Sequence, residues 1–213
     1  MKLMYAPQSP FARKVRAAAI ELGLGDRIEL EYAEVKPGKE NAAFAESVNP
    51  LRKIPALILD DGKTVIVDST VICEFLDALV GGGRLIPVSG PDRWRVLCQH
   101  AVAQGMCEAI VLIRYETWLR PEHMRWPDWL DDQWSKIWSG LAWFDRGADE
   151  ALLKRPNTVD ISHLALASCL GYVSFRYPER NWPSQFPQVA VWYQQIVSRP
   201  SLANTMPGNS PSL

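Results

Sequence analysis

Short apolar runs alternate with helical ones through the first 80 residues, and after about residue 90 no strand pattern returns. Lys2-Leu3-Met4-Tyr5-Ala6 is a compact apolar run halted by Pro7, which predicts a buried strand. Ser9-Pro10 then opens a helix, with serine as cap and proline at the first helical position. Phe11, Val15, Ala18, Ala19 and Leu22 define its apolar face, Arg13, Lys14 and Arg16 lie off it, and Gly23 and Gly25 stop it. A second strand begins at Ile28, so the opening unit is strand–helix–strand with a parallel, right-handed crossover. A short helix around Asn41–Ser47 ends at Asn49-Pro50. Two strands follow, Ile54–Leu59 and Thr64–Val67, joined by the hairpin signal Asp60-Asp61-Gly62-Lys63. After Asp68-Ser69, an apolar helix runs through Val71, Ile72, Phe75, Leu76 and Leu79.

Beyond residue 90 only helical periodicity remains, over 92–120, 127–154, 158–176 and 187–198. The expected fold is therefore an α/β N-terminal domain with a four-stranded mixed sheet, in a thioredoxin-like order, followed by an all-α C-terminal domain. The expected boundaries are 1–80 for the first domain, 81–90 for a Gly-, Ser- and Pro-containing linker, and 91–213 for the helical domain. Composition agrees with two unlike halves, because all nine tryptophans fall at Trp94 or later.

A net charge of −1 gives a polyanion nothing to seek, so nucleic-acid binding through a basic face is not expected. Cys73, Cys98, Cys107 and Cys169 include no CxxC pair and read as small buried hydrophobes in a reducing compartment. His100, His123 and His163 lack metal-ligand spacing, and no metal is expected. The N-terminus lacks the apolar core of a signal peptide, and no apolar run approaches the roughly 18 residues that span a bilayer. A cytoplasmic protein without membrane contact is the expectation.

Several separated segments carry a resemblance. Ser9-Pro10-Phe11-Ala12-Arg13-Lys14-Val15-Arg16, Asn49 through Leu57, Asp68-Ser69, Asn157-Thr158-Val159-Asp160 and Phe186-Pro187 through Ser201 resemble, in this order and spacing, the cytosolic glutathione transferase superfamily. The first of them is similar to the active-site segment of its serine-using classes. The stretch Ile113–Glu116 through Leu119–Glu122 is similar to a bacterial subgroup. Arg52 departs from the pattern, which usually has glycine there.

The resemblance implies a transferase that activates the thiolate of glutathione, its co-substrate, for attack on a hydrophobic electrophile, a detoxification chemistry. Ser9 would be the catalytic hydroxyl, donating to the sulfur; local pattern alone makes it a plain helix cap. Tyr5, near the end of the first strand, is a rival donor. Pro55 would be cis, presenting the Ile54 backbone to the peptide. Ser69 and the following helix N-terminus would take the γ-glutamyl carboxylate and Asp68 the ammonium; read locally, Ser69 is only a cap. Lys39 and Lys53 would meet the glycyl carboxylate, and Phe11 completes the glutathione site. Met106, Ile110 and Ile113 are the expected wall of the electrophile pocket, with part of the Trp118–Trp143 stretch. A homodimer is implied too. Asn157 and Asp160 would form a structural capping pair. Alternatives are another glutathione-dependent reaction on the same serine (dehalogenation, ether cleavage, isomerisation) and a regulatory binding protein that keeps the fold without catalysis.

Overall fold

The structure is a computed structural model, and it describes residues 1–146, 150–153 and 158–208. Strands β1 (Lys2–Tyr5), β2 (Glu29–Tyr32), β3 (Ala56–Ile58) and β4 (Val65–Ile66) form one sheet in the order β2-β1-β3-β4. β1 and β2 are parallel, with Leu3 opposite Leu30; β3 is antiparallel to both β1 and β4, with Leu57 opposite Leu3 and Ile66. Helices α1 (Pro10–Glu21), α2 (Ala42–Ser47) and α3 (Ser69–Leu79) complete this domain. The α/β thioredoxin-like order read from the sequence is the one observed. The hairpin turn forms as its residues require: Gly62 takes φ +67°, and the Asp61 carboxylate accepts from the Lys63 and Thr64 amides.

The second domain is helical: α4 (Gly90–Leu119), α5 (Pro127–Asp145), α6 (Glu150–Leu153), α7 (Ile161–Arg176), α8 (Trp182–Gln185), α9 (Pro187–Ile196) and α10 (Pro200–Ala203). Its axis is α7, buried from Ile161 to Val173. Both α4 and α1 pack on it, which joins the two domains through one apolar core. Helix α4 is the one helix among the described residues long and apolar enough, by composition, to cross a membrane. That corrects the expectation that no such run exists. Half of its most apolar stretch is buried within the fold, and it packs on α5 and α7 as a core helix does. Pro200 starts α10 as its N1 residue, four positions after α9 has ended at Ile196.

The reading of α1 needs a larger correction. Arg13 and Lys14, placed off the apolar face by periodicity, are only 2% and 1% exposed. The helix is covered on two sides, by α3 and by α7, so its buried arc is wider than one stripe. Arg13 donates to the carbonyls of Ala167 (3.1 Å) and Leu202 (3.1 Å), which ties α1 to α7 and α10. Cysteines divide as well: Cys73, Cys107 and Cys169 are buried, Cys98 is exposed, and all four are free.

The cap of α7 also differs in register. Asn157 lies outside the described residues, and Asp160 is itself the N-cap. Its carboxylate accepts from the Ser162 and His163 amides, while His163 Nδ1 turns back to the Asp160 amide. Histidine thus takes the place usually held by Glu or Gln. Burial pushes the Asp160 carboxyl up, but hydrogen bonds from His163 and Ser162 outweigh it and hold it below its ordinary value. Asp160→Ala is expected to lower stability by about 2 kcal/mol near neutral pH. A group depressed on folding stabilises above its unfolded pKa, about 4, and loses that contribution as pH falls through the folded value. Urea unfolding of wild type and variant should therefore converge in acid; a gap independent of pH would refute the assignment.

Candidate functional site

A cleft of 1360 Å³ lies between the sheet domain and α4, and the sequence-predicted glutathione residues meet on its wall. Ser9, Phe11, Lys39, Lys53, Ile54, Pro55, Asp68 and Ser69 all line it. They arrive from four separate segments, three of which carry all of them but Lys39, so their convergence is a property of the packed chain.

The first segment is the start of α1. Ser9 is its N-cap: the hydroxyl oxygen accepts from the Ala12 amide at 3.2 Å. Capping uses a lone pair and leaves the hydroxyl hydrogen unspent. The same side chain can cap the helix and still donate into the cleft. Tyr5 does not line the cleft, and the Arg16 guanidinium lies 5.4 Å over its ring.

The second segment is the loop before β3. The Ile54–Pro55 peptide is cis, as expected. Asn49, which sequence reading treated only as a helix breaker, braces this loop. It is buried, donates from Nδ2 to the Lys53 carbonyl (2.8 Å) and accepts from the Leu51 amide (3.0 Å). Between them Arg52 sits at φ +51°, left-handed backbone in which glycine is the easy residue. That is the physical reason for the glycine in the family pattern. In this chain the position adds a cationic side chain to the cleft wall.

The third segment opens α3. Asp68, and not Ser69, is the cap: its Oδ1 accepts from the Thr70 amide (3.0 Å) and more weakly from Val71. Ser69 is buried at the first helical position. Two helix N-termini, those of α1 and α3, therefore open on one cleft, and each favours negative charge. Lys39 reaches the wall but is paired with Glu34, which also holds Lys36.

Behind this floor lies a buried lysine. Lys14 Nζ is 2.9 Å from Gln104 Oε1 and 2.9 Å from His100 Nε2. Burial, then the neighbouring ammonium, drives His100 down to about 3, so its neutral ring accepts from Lys14. Burial also lowers Lys14 itself. Gln104 spends its carbonyl on Lys14 and turns its amide nitrogen to Glu108 (3.2 Å) on the cleft wall.

The helical wall is not the one read from sequence. Met106, Ile110 and Ile113 are 2%, 0% and 0% exposed, and they face the core. The cleft-lining side chains of α4 are Gln104, Glu108, Val111, Leu112, Arg114, Tyr115 and Trp118, joined by Tyr172 and Arg176 of α7. The most apolar stripe of α4 went to α5 and α7, which left a mixed aromatic and cationic stripe for the cleft. Of the Trp118–Trp143 stretch, Trp118 lines the cleft, whereas Trp134 and Trp138 stack on each other as packing. Among the described residues no group of His, Cys, Asp and Glu is placed to hold a metal ion.

A thioredoxin-like domain whose helix starts and proline loop form one wall of a cleft, with a helical domain forming the other, defines the class of protein. The chain belongs to the glutathione S-transferase family. The family's N-terminal-domain pattern matches residues 8–79 and its C-terminal-domain pattern residues 127–195. The crystal structure of a glutathione transferase family member from Pseudomonas fluorescens Pf-5, with bound glutathione, is similar with a TM-score of 0.91 and 40% identity, covering 98% of this chain and 99% of that one. A second structure from that organism, with bound S-(propanoic acid)-glutathione, has a TM-score of 0.86 and 39% identity over 97% of this chain and 99% of that one. The uncharacterized GST-like protein YibF of Escherichia coli K12 is 29% identical over 208 residues, 97% of this chain and 98% of its own.

Proposed function

We propose that this protein is a glutathione transferase in which Ser9 stabilises the thiolate of bound glutathione for attack on an electrophile held against α4 and α7. The observation that carries the reading is the convergence of the Ser9 hydroxyl, the Ile54–Pro55 loop and the start of α3 on one cleft. The relatives bound to glutathione and to a glutathione thioether support it.

The chemistry follows from charge. A free thiol has a pKa of about 8.5, so only a few per cent is ionised at pH 7. Lowering it by one unit requires about 1.4 kcal/mol of preferential thiolate stabilisation. A hydroxyl donor and the N-terminus of α1 act on the sulfur from the same side. The γ-glutamyl carboxylate falls to Ser69 and the α3 amides, the ammonium to the Oδ2 side of Asp68. The Ile54 backbone holds the peptide, and Lys53 with Lys39 meets the glycyl carboxylate. Sulfur attacks; serine does not, so no protein–substrate bond forms. Assembly as a homodimer and a cytoplasmic location belong to the same reading.

Ser9→Ala is expected to lower kcat/KM by about 10–100-fold and return the bound thiol to within a unit of its free pKa, with glutathione affinity changed less than about threefold. The ultraviolet thiolate band against pH, with calorimetric titration, measures both. The variant also loses a cap, about 1 kcal/mol of stability. Ser9→Asp separates the two effects, because it keeps the cap and sets a like charge beside the sulfur. An unshifted thiol pKa in wild type would refute the reading.

A further inference from the structure

The helical wall of the cleft carries two guanidinium groups with no carboxylate to neutralise them. Arg114 and Arg176 both line the cleft, one from α4 and one from the last turn of α7. Among the described residues neither forms an ion pair, and the hydrogen bond Arg176 does make goes to the neutral Tyr172 hydroxyl and not to a carboxylate. Arg114 lies over the Trp118 ring at 4.8 Å, and Arg176 over Phe175 at 4.5 Å and Tyr172 at 5.8 Å. Arg176 Nε is buried without a partner. The other cation near Trp118, Lys36, is already paired with Glu34. Of the two acidic side chains on this stretch of α4, Glu116 is paired with Arg120 and does not line the cleft, whereas Glu108 lies six residues before Arg114, about 9 Å along the helix axis, and accepts from Gln104.

A wall built to receive an uncharged hydrophobic molecule has no use for this arrangement. Its aromatic faces, Tyr115, Trp118 and Tyr172, suit a planar ring; its two planar forks of N–H donors suit a carboxylate or another oxyanion. A desolvated guanidinium with an unspent donor binds an anion more strongly than one already paired, since no existing bond is broken. We infer that the second substrate is an aromatic electrophile bearing an anionic group, which Arg114 and Arg176 bind while the ring lies on Trp118 and Tyr172. The inference rests on the transferase reading and narrows its substrate class.

Two probes differing by one charge test it: S-(4-carboxy-2-nitrophenyl)glutathione and its methyl ester, titrated calorimetrically beside glutathione. The carboxylate probe should bind at least tenfold more tightly than the ester, and the gap should shrink with added salt. In the Arg114→Met/Arg176→Met variant the gap should fall below twofold, while glutathione still binds. Equal affinities in wild type, or a gap that survives in the variant, would overturn the inference and leave the transferase reading standing. Failure of glutathione itself to bind would overturn both. The wild-type comparison needs no variant to fold.

Discussion

Replacing Gly171 by alanine is expected to destabilise the protein by about 3–4 kcal/mol, although the site is a mid-helix position where alanine is normally the better residue. A Cβ there would stand 2.0 Å from Arg13 Nη1 and 3.2 Å from the Tyr193 hydroxyl. Arginine is flexible, but this one is buried, and its two terminal nitrogens are engaged with the Ala167 and Leu202 carbonyls. To make room it must give up one of those bonds inside the core. The clash thus becomes a displaced buried charge. For a chain of this length, roughly 2–4 °C of melting temperature accompanies each kcal/mol, so a fall of about 6–16 °C is expected by calorimetry. Gly105→Ala is the internal control. Nothing lies within 4 Å of a Cβ at that position of α4, so stability should rise by about 0.5–1 kcal/mol. Equal behaviour of the two variants would show that Arg13 is not held where the structure places it.

Asp77→Ala is expected to cost about as much, 3–5 kcal/mol in order of magnitude. Asp77 is buried near the end of α3, and its carboxylate accepts from four successive amides of the connection to α4: Gly83 (3.0 Å), Arg84 (3.1 Å), Leu85 (3.0 Å) and Ile86 (3.2 Å). The Leu85 carbonyl in turn accepts from the Ile161 amide at the start of α7. One side chain therefore folds the connection between the domains onto the helical core. Removal leaves buried amides without an acceptor, and each such donor carries its full desolvation cost. Asp77→Asn retains one acceptor oxygen and should lose about half as much. Urea unfolding gives the magnitude. Limited proteolysis gives the place: cleavage should appear between Gly81 and Gly90 in Asp77→Ala and not in wild type. A variant within 1 kcal/mol of wild type would refute this role.

Arg13, Lys14 and Asp77 show where local reading stops. Strand and helix order, the Asp61-Gly62 turn, the Ser9-Pro10 start and the short helix around Asn41–Ser47 were legible because each depends on a few adjacent residues. Hydrophobic period, cap chemistry and turn conformation act within one turn of backbone, and nothing distant had to be known. The residues proposed to bind glutathione could be named for a different reason: most are tied to helix starts and to a proline, features with local signatures, and the structure brings them to one cleft. Asn49 had such a signature, an Asn-Pro pair, but its brace on Lys53 is a loop contact that a helix-break reading overlooks.

The rest depended on which faces meet. α1 looked amphipathic with a cationic outer side, and only the stacking of α7 and α10 on that side turned Arg13 inward. α4 offered two plausible stripes to the cleft. Burying Met106, Ile110 and Ile113 removes the most apolar area from water, so α5 and α7 claimed that stripe, and Arg114, Tyr115 and Trp118 were left to line the cleft. Register along a helix is a local property and can be read from spacing. The rotation of that helix about its own axis is settled by competition among all its neighbours, and that competition exists only once the chain has packed.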